Sequence, residues 1–314
     1  MPRAPKDTSD SDAVRVAPSR PGADNGLHPG NDLNDLTGTE WIKFTRTWFV
    51  CDSPRYHQNK PTELHPARYP EEMVAEFLRF FTKRRQFVLD PFLGSGATLV
   101  ACMEQGRQGV GIELSPRYAQ VAQRRLVCLP LDGLRQQVIQ GDARQVNDPA
   151  LWQPLLNELE AAGLPLADGL PQFDFVITSP PYWNMLRTSR GGVESKHKLR
   201  AKQKLDTHYS DAAADLGNIT DYDQFVEAIG EVFDRVHACL RPGKYLVVVA
   251  QNLRTPQGEV KPLAWDLARR IGRTFLFQGE RIWCQNTKPL GIWGYPKIFV
   301  PNYHHHYCLI FRKT

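Results

Sequence analysis

A strand, a glycine-rich turn, a helix and a second strand follow one another between residues 86 and 114, and this unit restricts the chain more than any other stretch. Gln86 to Asp90 is apolar apart from its ends, Gly94 and Gly96 punctuate the turn, and a helix is predicted from Ala97 to Gln105. The next strand, Gln108 to Leu114, carries Glu113 near its end. Two strands joined by one helix run parallel, because a hairpin cannot return the chain in the same direction. The alternation continues with a helix at 116–126, a strand near Val138 to Asp142, a helix at about 149–162 and a strand from Phe173 to Thr178. Asp221 opens a helix with Phe225, Ile229, Val232, Phe233, Val236 and Leu240 on one face, ending at Arg241, Pro242 and Gly243. Lys244 to Ala250 is a continuous apolar run, as in a central strand, and a helix at 262–271 leads to closing strands at Thr274–Cys284 and Tyr303–Arg312. Upstream, Pro70 at a helix N1 position with Glu71 and Glu72 in the first turn opens a helix carrying Met73, Phe77, Leu78 and Phe81. The pattern predicts one α/β domain with a mostly parallel sheet and helices on both faces, over about residues 37–314.

Residues 1–36 are rich in Asp, Gly, Pro and Ser without periodic apolar positions, and are expected to form a disordered tail. The first 25 residues lack the apolar stretch of a secretory signal, and no apolar run reaches a membrane span, so a cytoplasmic protein with no membrane partner is expected. Cysteines at 51, 102, 128, 239, 284 and 308 never approach a Cys-x-x-Cys spacing and read as reduced thiols. His304, His305 and His306 alternate sides in a strand and lack obvious carboxylate or thiolate partners, so no metal is expected. The chain has 39 Lys and Arg against 34 Asp and Glu, and residues 184–204 alone carry an excess larger than that of the whole chain. There Arg187, Arg190, Lys196, Lys198, Arg200, Lys202 and Lys204 face Glu194 alone, a balance suited either to a solvated loop or to a polyanion.

Three acids, Asp90, Glu113 and Asp142, end three consecutive strands, at the edge where open α/β sheets bind ligands. The turn Asp90-Pro91-Phe92-Leu93-Gly94-Ser95-Gly96 lets backbone N–H groups approach a ligand at a helix N-terminus. It has no Lys-Ser/Thr pair after Gly96, and Leu99 stands where a dinucleotide fingerprint has its third glycine. Glu113 is placed to accept both hydroxyls of a ribose. At the end of the Phe173–Thr178 strand, Ser179-Pro180-Pro181-Tyr182-Trp183 forms a stiff corner holding a hydroxyl and aromatic rings at that same edge.

Asp90 to Gly96 resembles the Asp-Pro-Phe-x-Gly-Ser-Gly cofactor motif, and Ser179 to Tyr182 the Ser-Pro-Pro-Tyr catalytic motif, of S-adenosylmethionine-dependent DNA amino-methyltransferases. His65-Pro66-Ala67-Arg68-Tyr69-Pro70 is similar to the segment that in this motif order precedes the first strand, and Trp41 to Phe49 matches more weakly. The resemblance covers about residues 41–312. It implies a Rossmann-like class I methyltransferase with seven strands, the last two forming a reversed hairpin. It further implies that Asp90, Phe92, Gly94 and Gly96, with His65 and Pro66, meet the methionine part of the cofactor, Glu113 the ribose and Asp142 the adenine. In the family arrangement the Ser179 oxygen and the Pro180 carbonyl accept hydrogen bonds from the amino group, Pro181 stiffens the corner, and Tyr182 stacks on a base extruded from double-stranded DNA.

Ser179 favours N4 of cytosine over N6 of adenine as the methylated atom. The rivals are an adenine enzyme, an RNA amino-methyltransferase, and a non-catalytic DNA-binding sensor of the cofactor. Cytosine C5 chemistry needs a Pro-Cys pair that does not occur, and zinc deamination needs a Cys-x-x-Cys that is absent. Beside such a corner the basic segment becomes a phosphate-contacting insertion at about 184–218. No large recognition domain is evident, so specificity falls to that insertion, to the loop 286–302 with Trp293, Tyr295 and Lys297, or to the N-terminal arm. The resemblance is compatible with a bacterial or phage modification methylase, monomeric or homodimeric, with a separately encoded restriction endonuclease as partner.

Overall fold

The structure, a computed structural model, describes residues 26–52, 69–127, 133–183, 214–255, 257–292 and 294–314. Eight strands form the main sheet: β1 (Trp48–Val50), β2 (Phe87–Asp90), β3 (Gln108–Glu113), β4 (Gln136–Gln140), β5 (Phe173–Thr178), β6 (Leu240–Ala250), β7 (Leu276–Cys284) and β8 (His305–Arg312). Their order is β1-β7-β8-β6-β5-β2-β3-β4, and β8 alone runs against its neighbours. The seven expected strands are present, with β7 and β8 as the reversed hairpin. The eighth, β1, pairs parallel with β7 through Trp48 opposite Ile282. Three residues are too few for alternation to announce a strand.

Helices cover both faces: α1 (Gly38–Phe44), α2 (Glu71–Phe81), α3 (Ala97–Glu104), α4 (Pro116–Val127), α5 (Pro149–Trp152), α6 (Leu156–Ala161), α7 (Tyr222–Cys239) and α8 (Leu263–Ile271). The central strands β2 and β5 are buried on both sides, which is why they are mostly apolar, β5 being interrupted by the buried Asp174. One face packs Leu89, Val176, Val248 and Leu309 under α7 and α8, where Phe225, Ile229, Val232 and Leu267 are fully buried. The other packs Val88, Phe175, Val247 and Cys308 under α2, with Phe77 and Phe81 stacked 6.3 Å apart.

Several boundaries differ from the sequence reading. Pro70 is the N-cap of α2 rather than its first residue. The segment 149–162 is two short helices, because Pro154 removes a backbone donor in its middle. The helix opened by Asp221 ends at Cys239, and β6 already begins at Leu240. Packed structure also starts before residue 37, which shortens the expected tail. Asn34 is buried and donates to the Phe80 carbonyl at 2.5 Å, and Leu33 and Leu36 lie against the α2 core. Thr37 then caps α1 in a reciprocal box with Glu40, and α1 lays Phe44 on Phe80, stacked at 3.9 Å.

Five cysteines fall among the described residues, and all are free. Cys102, Cys239 and Cys308 are buried, and burial pushes the Cys239 thiol up to about 12. No helix among the described residues is long and apolar enough to cross a membrane.

Candidate active site at the carboxyl rim of the sheet

Asp90, the last residue of β2, is fully buried, and four protein donors converge on it. Oδ1 accepts from the Thr178 hydroxyl at 2.6 Å and the Phe92 N–H at 3.1 Å, while Oδ2 accepts from the Tyr69 hydroxyl at 2.9 Å and from Thr98. A carboxylate offers about four lone-pair directions, so this one is fully engaged. Burial raises its pKa, against the pull of the donors in the other direction. In this arrangement Asp90, expected to meet the cofactor, ties together the parts of the site. Thr98 lies in the first turn of α3 after the glycine turn, Thr178 directly precedes Ser179, and Tyr69 belongs to the His65–Pro70 motif. The two motifs, about ninety residues apart in the chain, meet across one carboxylate.

The glycine turn is shaped by its neighbours. Gly96 has φ +85°, and a Cβ there would lie 2.9 Å from the Ala122 Cβ, so glycine is favoured and any other residue is strained. Gly94 donates its N–H to Glu113 Oε2 at 2.7 Å, and Ser115 donates to Oε1 at 2.8 Å. Two of the Glu113 lone-pair directions are thereby used and two remain. Burial pushes its carboxyl up to about 7, helped by the Asp90 and Asp215 carboxylates and opposed by the two backbone donors. Arg125 of α4 secures the turn from behind, donating to the Ser95 carbonyl at 2.6 Å and pairing with Glu71 at the start of α2.

Asp142 follows β4 by two residues, as the N-cap of a short 3-10 turn at Ala143–Gln145. Both of its oxygens face the Arg144 guanidinium, the closest approach being 2.6 Å. The expected adenine contact thus competes with an ion pair, a local partner two residues away that strand patterning does not reveal. Phe92 is partly exposed at the rim, packed against Phe233 at 6.4 Å.

At the end of β5 the Ser179 hydroxyl lies 3.2 Å from the Val249 carbonyl of β6 and 3.0 Å from the Tyr182 hydroxyl. Pro180 is buried and Pro181 half-buried. Tyr182 is turned inward: its ring is 5% exposed, and its hydroxyl points at the Val249 carbonyl, 3.5 Å away. An amphipathic phenol finds both an apolar wall and a carbonyl there, so the expected stacking on a base requires this ring to turn outward. Trp183 is the partly exposed ring at the corner, fixed by its indole N–H on the Thr220 carbonyl at 3.1 Å and edge-on to Tyr222 at 5.2 Å. His306 stands 6.3 Å from the Tyr182 ring and stacks on Trp283 at 4.7 Å. Burial lowers its imidazole to about 3, so it is neutral.

His65 and Pro66 lie outside the described residues, as do Arg187, Arg190, Lys196, Lys198, Arg200, Lys202, Lys204 and Trp293. Among the described residues, no group of three His, Cys, Asp or Glu is placed to hold a metal. A cleft of about 570 Å³ lined by Leu33, Trp41, Pro242, Tyr245 and Arg312 lies at the opposite end of the sheet, where β6 begins and β8 ends. Tyr69, Thr98, Thr178 and Arg125 were not legible as site residues. Only Tyr69 carried a signal, as part of a motif.

The rim suits a ligand with a carboxylate at one end and a diol at the other. Ser95 Oγ is buried without a protein partner, α3 begins without a side-chain cap, and Glu113 keeps acceptor capacity beside both.

Comparison with known proteins agrees with the motifs. A family model described as DNA methylase, of the N6/N4 amino-methyltransferases, matches residues 6–124. The type II methyltransferase M.Cfr9I of Citrobacter freundii is 45% identical over 62 residues, 20% of this chain and 21% of that protein. M.BglI of Bacillus subtilis is 30% identical over 95 residues, 30% of this chain and 26% of that protein. The matched stretches thus span about a fifth to a quarter of these relatives' lengths. Among solved structures, TrmN from Thermus thermophilus aligns over 78% of this chain and 48% of its own, at 13% identity and a TM-score of 0.41. An S-adenosylmethionine-dependent O-methyltransferase from Thermotoga maritima aligns over 82% and 68%, at 11% and 0.43. The family model and the two sequence relatives support an amino-methyltransferase of the N4/N6 DNA methylase family.

Proposed function

We propose that the chain methylates an exocyclic amino group of a base flipped out of double-stranded DNA, using S-adenosylmethionine, with cytosine N4 as the preferred atom. The observation that carries this reading is the junction at Asp90, which brings the glycine turn and the Ser179 corner to one rim. The DNA assignment rests on the family model and on the type II methyltransferases among the relatives.

When bound, S-adenosylmethionine supplies an electrophilic methyl group on a sulfonium. Glu113 accepts from the ribose hydroxyls, and the turn at Gly94 to Gly96 with the start of α3 receives the methionine end. The amine of cytosine is a poor nucleophile because its lone pair is delocalised into the ring. Ser179 addresses that difficulty. With its proton directed at the Val249 carbonyl, its oxygen presents lone pairs to the incoming amino group. A second acceptor, the Pro180 carbonyl, takes the other N–H, so the nitrogen pyramidalises and its lone pair aligns with the methyl. The cofactor would give up its methyl and leave as the neutral thioether, and the surplus proton of the methylated nitrogen would pass to solvent water. Trp183, held at the corner by Thr220, offers the ring on which the base stacks.

The basic segment 184–204 follows this corner in the chain and is assigned to phosphate contacts, and the protein to the bacterial cytoplasm, with a separately encoded endonuclease as companion. Labelled methyl groups offered with equal amounts of duplex DNA and total RNA test the reading. Label is expected in DNA. Incorporation into RNA alone would replace the DNA assignment, and label in neither polymer would remove the activity.

A further inference from the structure

We propose that the loop between β7 and β8 is an apolar wedge that enters the duplex beside the target and occupies the gap left by the extruded base. The proposal rests on the function proposed above, which puts a duplex on this rim. β7 ends at Cys284 opposite His305, the first residue of β8, and the Gln285 N–H donates to the His304 carbonyl at 2.7 Å, closing the base of the loop. β8 lies beside β6, with Tyr307 opposite Ala250, and Gln251 donates to the His305 carbonyl at 2.8 Å. Val249, whose carbonyl faces Ser179, directly precedes that pair. The loop therefore rises from the rim that holds Ser179, two strands away, or about 10 Å at the usual spacing of strands. That is within the width of one major groove, about 12 Å.

The side chains on this loop are unusual for a surface. Leu290 is 79% exposed, Ile292 88%, Tyr295 82%, Ile298 61% and Phe299 89%. They do not fall back onto the core because the backbone is clamped. Asn302 exchanges hydrogen bonds with Gly291 in both directions, at 2.9 and 3.0 Å. The N–H groups of Lys297 and Ile298 both donate to the Gly294 carbonyl, at 2.8 and 2.9 Å. Gly294 has φ +74°, and a Cβ there would lie 2.4 Å from the Ile298 carbonyl oxygen, so the turn is specified by its sequence.

A concentration of exposed apolar side chains marks an interaction surface. Charge selects its partner: residues 285–304 contain no Asp or Glu and carry Lys288 and Lys297, a composition suited to a polyanion. Apolar side chains inserted between base steps are a known means of unstacking and kinking DNA. Here they also replace the stacking that the displaced base gives up, with Tyr295 and Phe299 offering rings.

The test uses the full chain with Leu290, Ile292 and Phe299 all changed to Ala. Once the modified position has been read from DNA methylated by the wild type, oligonucleotide duplexes carry that position either paired or mispaired. The variant should keep the wild-type melting temperature and cofactor affinity. It should lose about 100-fold in kcat/KM on the paired duplex and under about 3-fold on the mispaired one, where the base is already unstacked. Equal losses on both substrates, or none, would overturn the wedge. An equal loss with dissociation of a dimer in sedimentation would instead make the loop a contact between two copies. Wild-type protein that methylates no DNA contradicts the function itself, whereas an active wild type with an unaffected variant contradicts the wedge alone.

Discussion

The two halves of the rim are built on opposite plans. The half proposed above to take the cofactor, around Asp90 and Glu113, is buried and closed by its own hydrogen bonds, with four donors on one carboxylate and two on the other. The target half, around Ser179 and the β7–β8 loop, has one hydroxyl resting on a carbonyl and a row of exposed apolar side chains. On the proposed function, the contrast teaches that the methyl-donor side is preorganised by the protein, whereas the acceptor side is left for the nucleic acid to complete. Preorganisation matters most where a small ligand must be held in line for displacement. A flexible polymer, in contrast, brings much of its own surface.

Breaking the preorganised half should cost most. Asp90→Ala leaves the Thr178 hydroxyl and the Phe92 N–H without their acceptor and the Tyr69 and Thr98 hydroxyls, 2.6 Å apart, with only each other, at about 1–3 kcal/mol for each buried donor left unpaired. It should lower stability in urea denaturation by at least about 3 kcal/mol and abolish methyl transfer. Stability within about 1 kcal/mol of wild type would show that the junction does not hold the rim together.

Ser179→Ala separates the halves instead. Loss of an acceptor used at the reacting amine should reduce kcat by about 100-fold or more while the melting temperature and cofactor affinity stay close to wild type. A fall in cofactor affinity equal to the fall in kcat would erase the division between donor and target sides.

Glu113 gives a pH signature. Its carboxyl sits near 7, above the usual carboxylate range, so it is charged only as pH rises through that value. Cofactor affinity should therefore increase between pH 6 and pH 8, and Glu113→Gln should weaken binding by about 10- to 100-fold and flatten the pH dependence. Without cofactor the sign reverses: the raised pKa favours the folded state at low pH, and that contribution fades as pH rises through 7. Calorimetric titration of cofactor across this range measures the binding slope, and thermal melts of the free protein measure the other.

The smallest expected effect belongs to the turn. Gly96→Ala places a methyl against Ala122 at positive φ, for a cost of about 1–2 kcal/mol and a modest loss of cofactor affinity.

The same division governs what could be read from the sequence. β2, β3, β5 and β6 were legible because burial on both faces writes itself as an apolar run, and acids ending such runs drew attention to the rim. The partners of those acids were not legible. Thr98, Thr178 and Tyr69 come from three separate elements, and only tertiary packing gathers them on Asp90. Tyr182 was read as a ring that stacks on the base because its motif places it at the corner, and the Val249 carbonyl that its hydroxyl faces inside could not be seen in the sequence. Pro154 did carry a signal for the broken helix at 149–161, which the apolar spacing around it masked.

The central claim is that donor and base amine meet at this one rim, and mass spectrometry of nucleosides from DNA treated with the protein and S-adenosylmethionine tests it most directly. N4-methylcytosine that disappears with Ser179→Ala is the result this account predicts. N6-methyladenine as the sole product would overturn the choice of base, and DNA carrying no methylated amine, or the same amount with Ser179→Ala, would contradict the account itself.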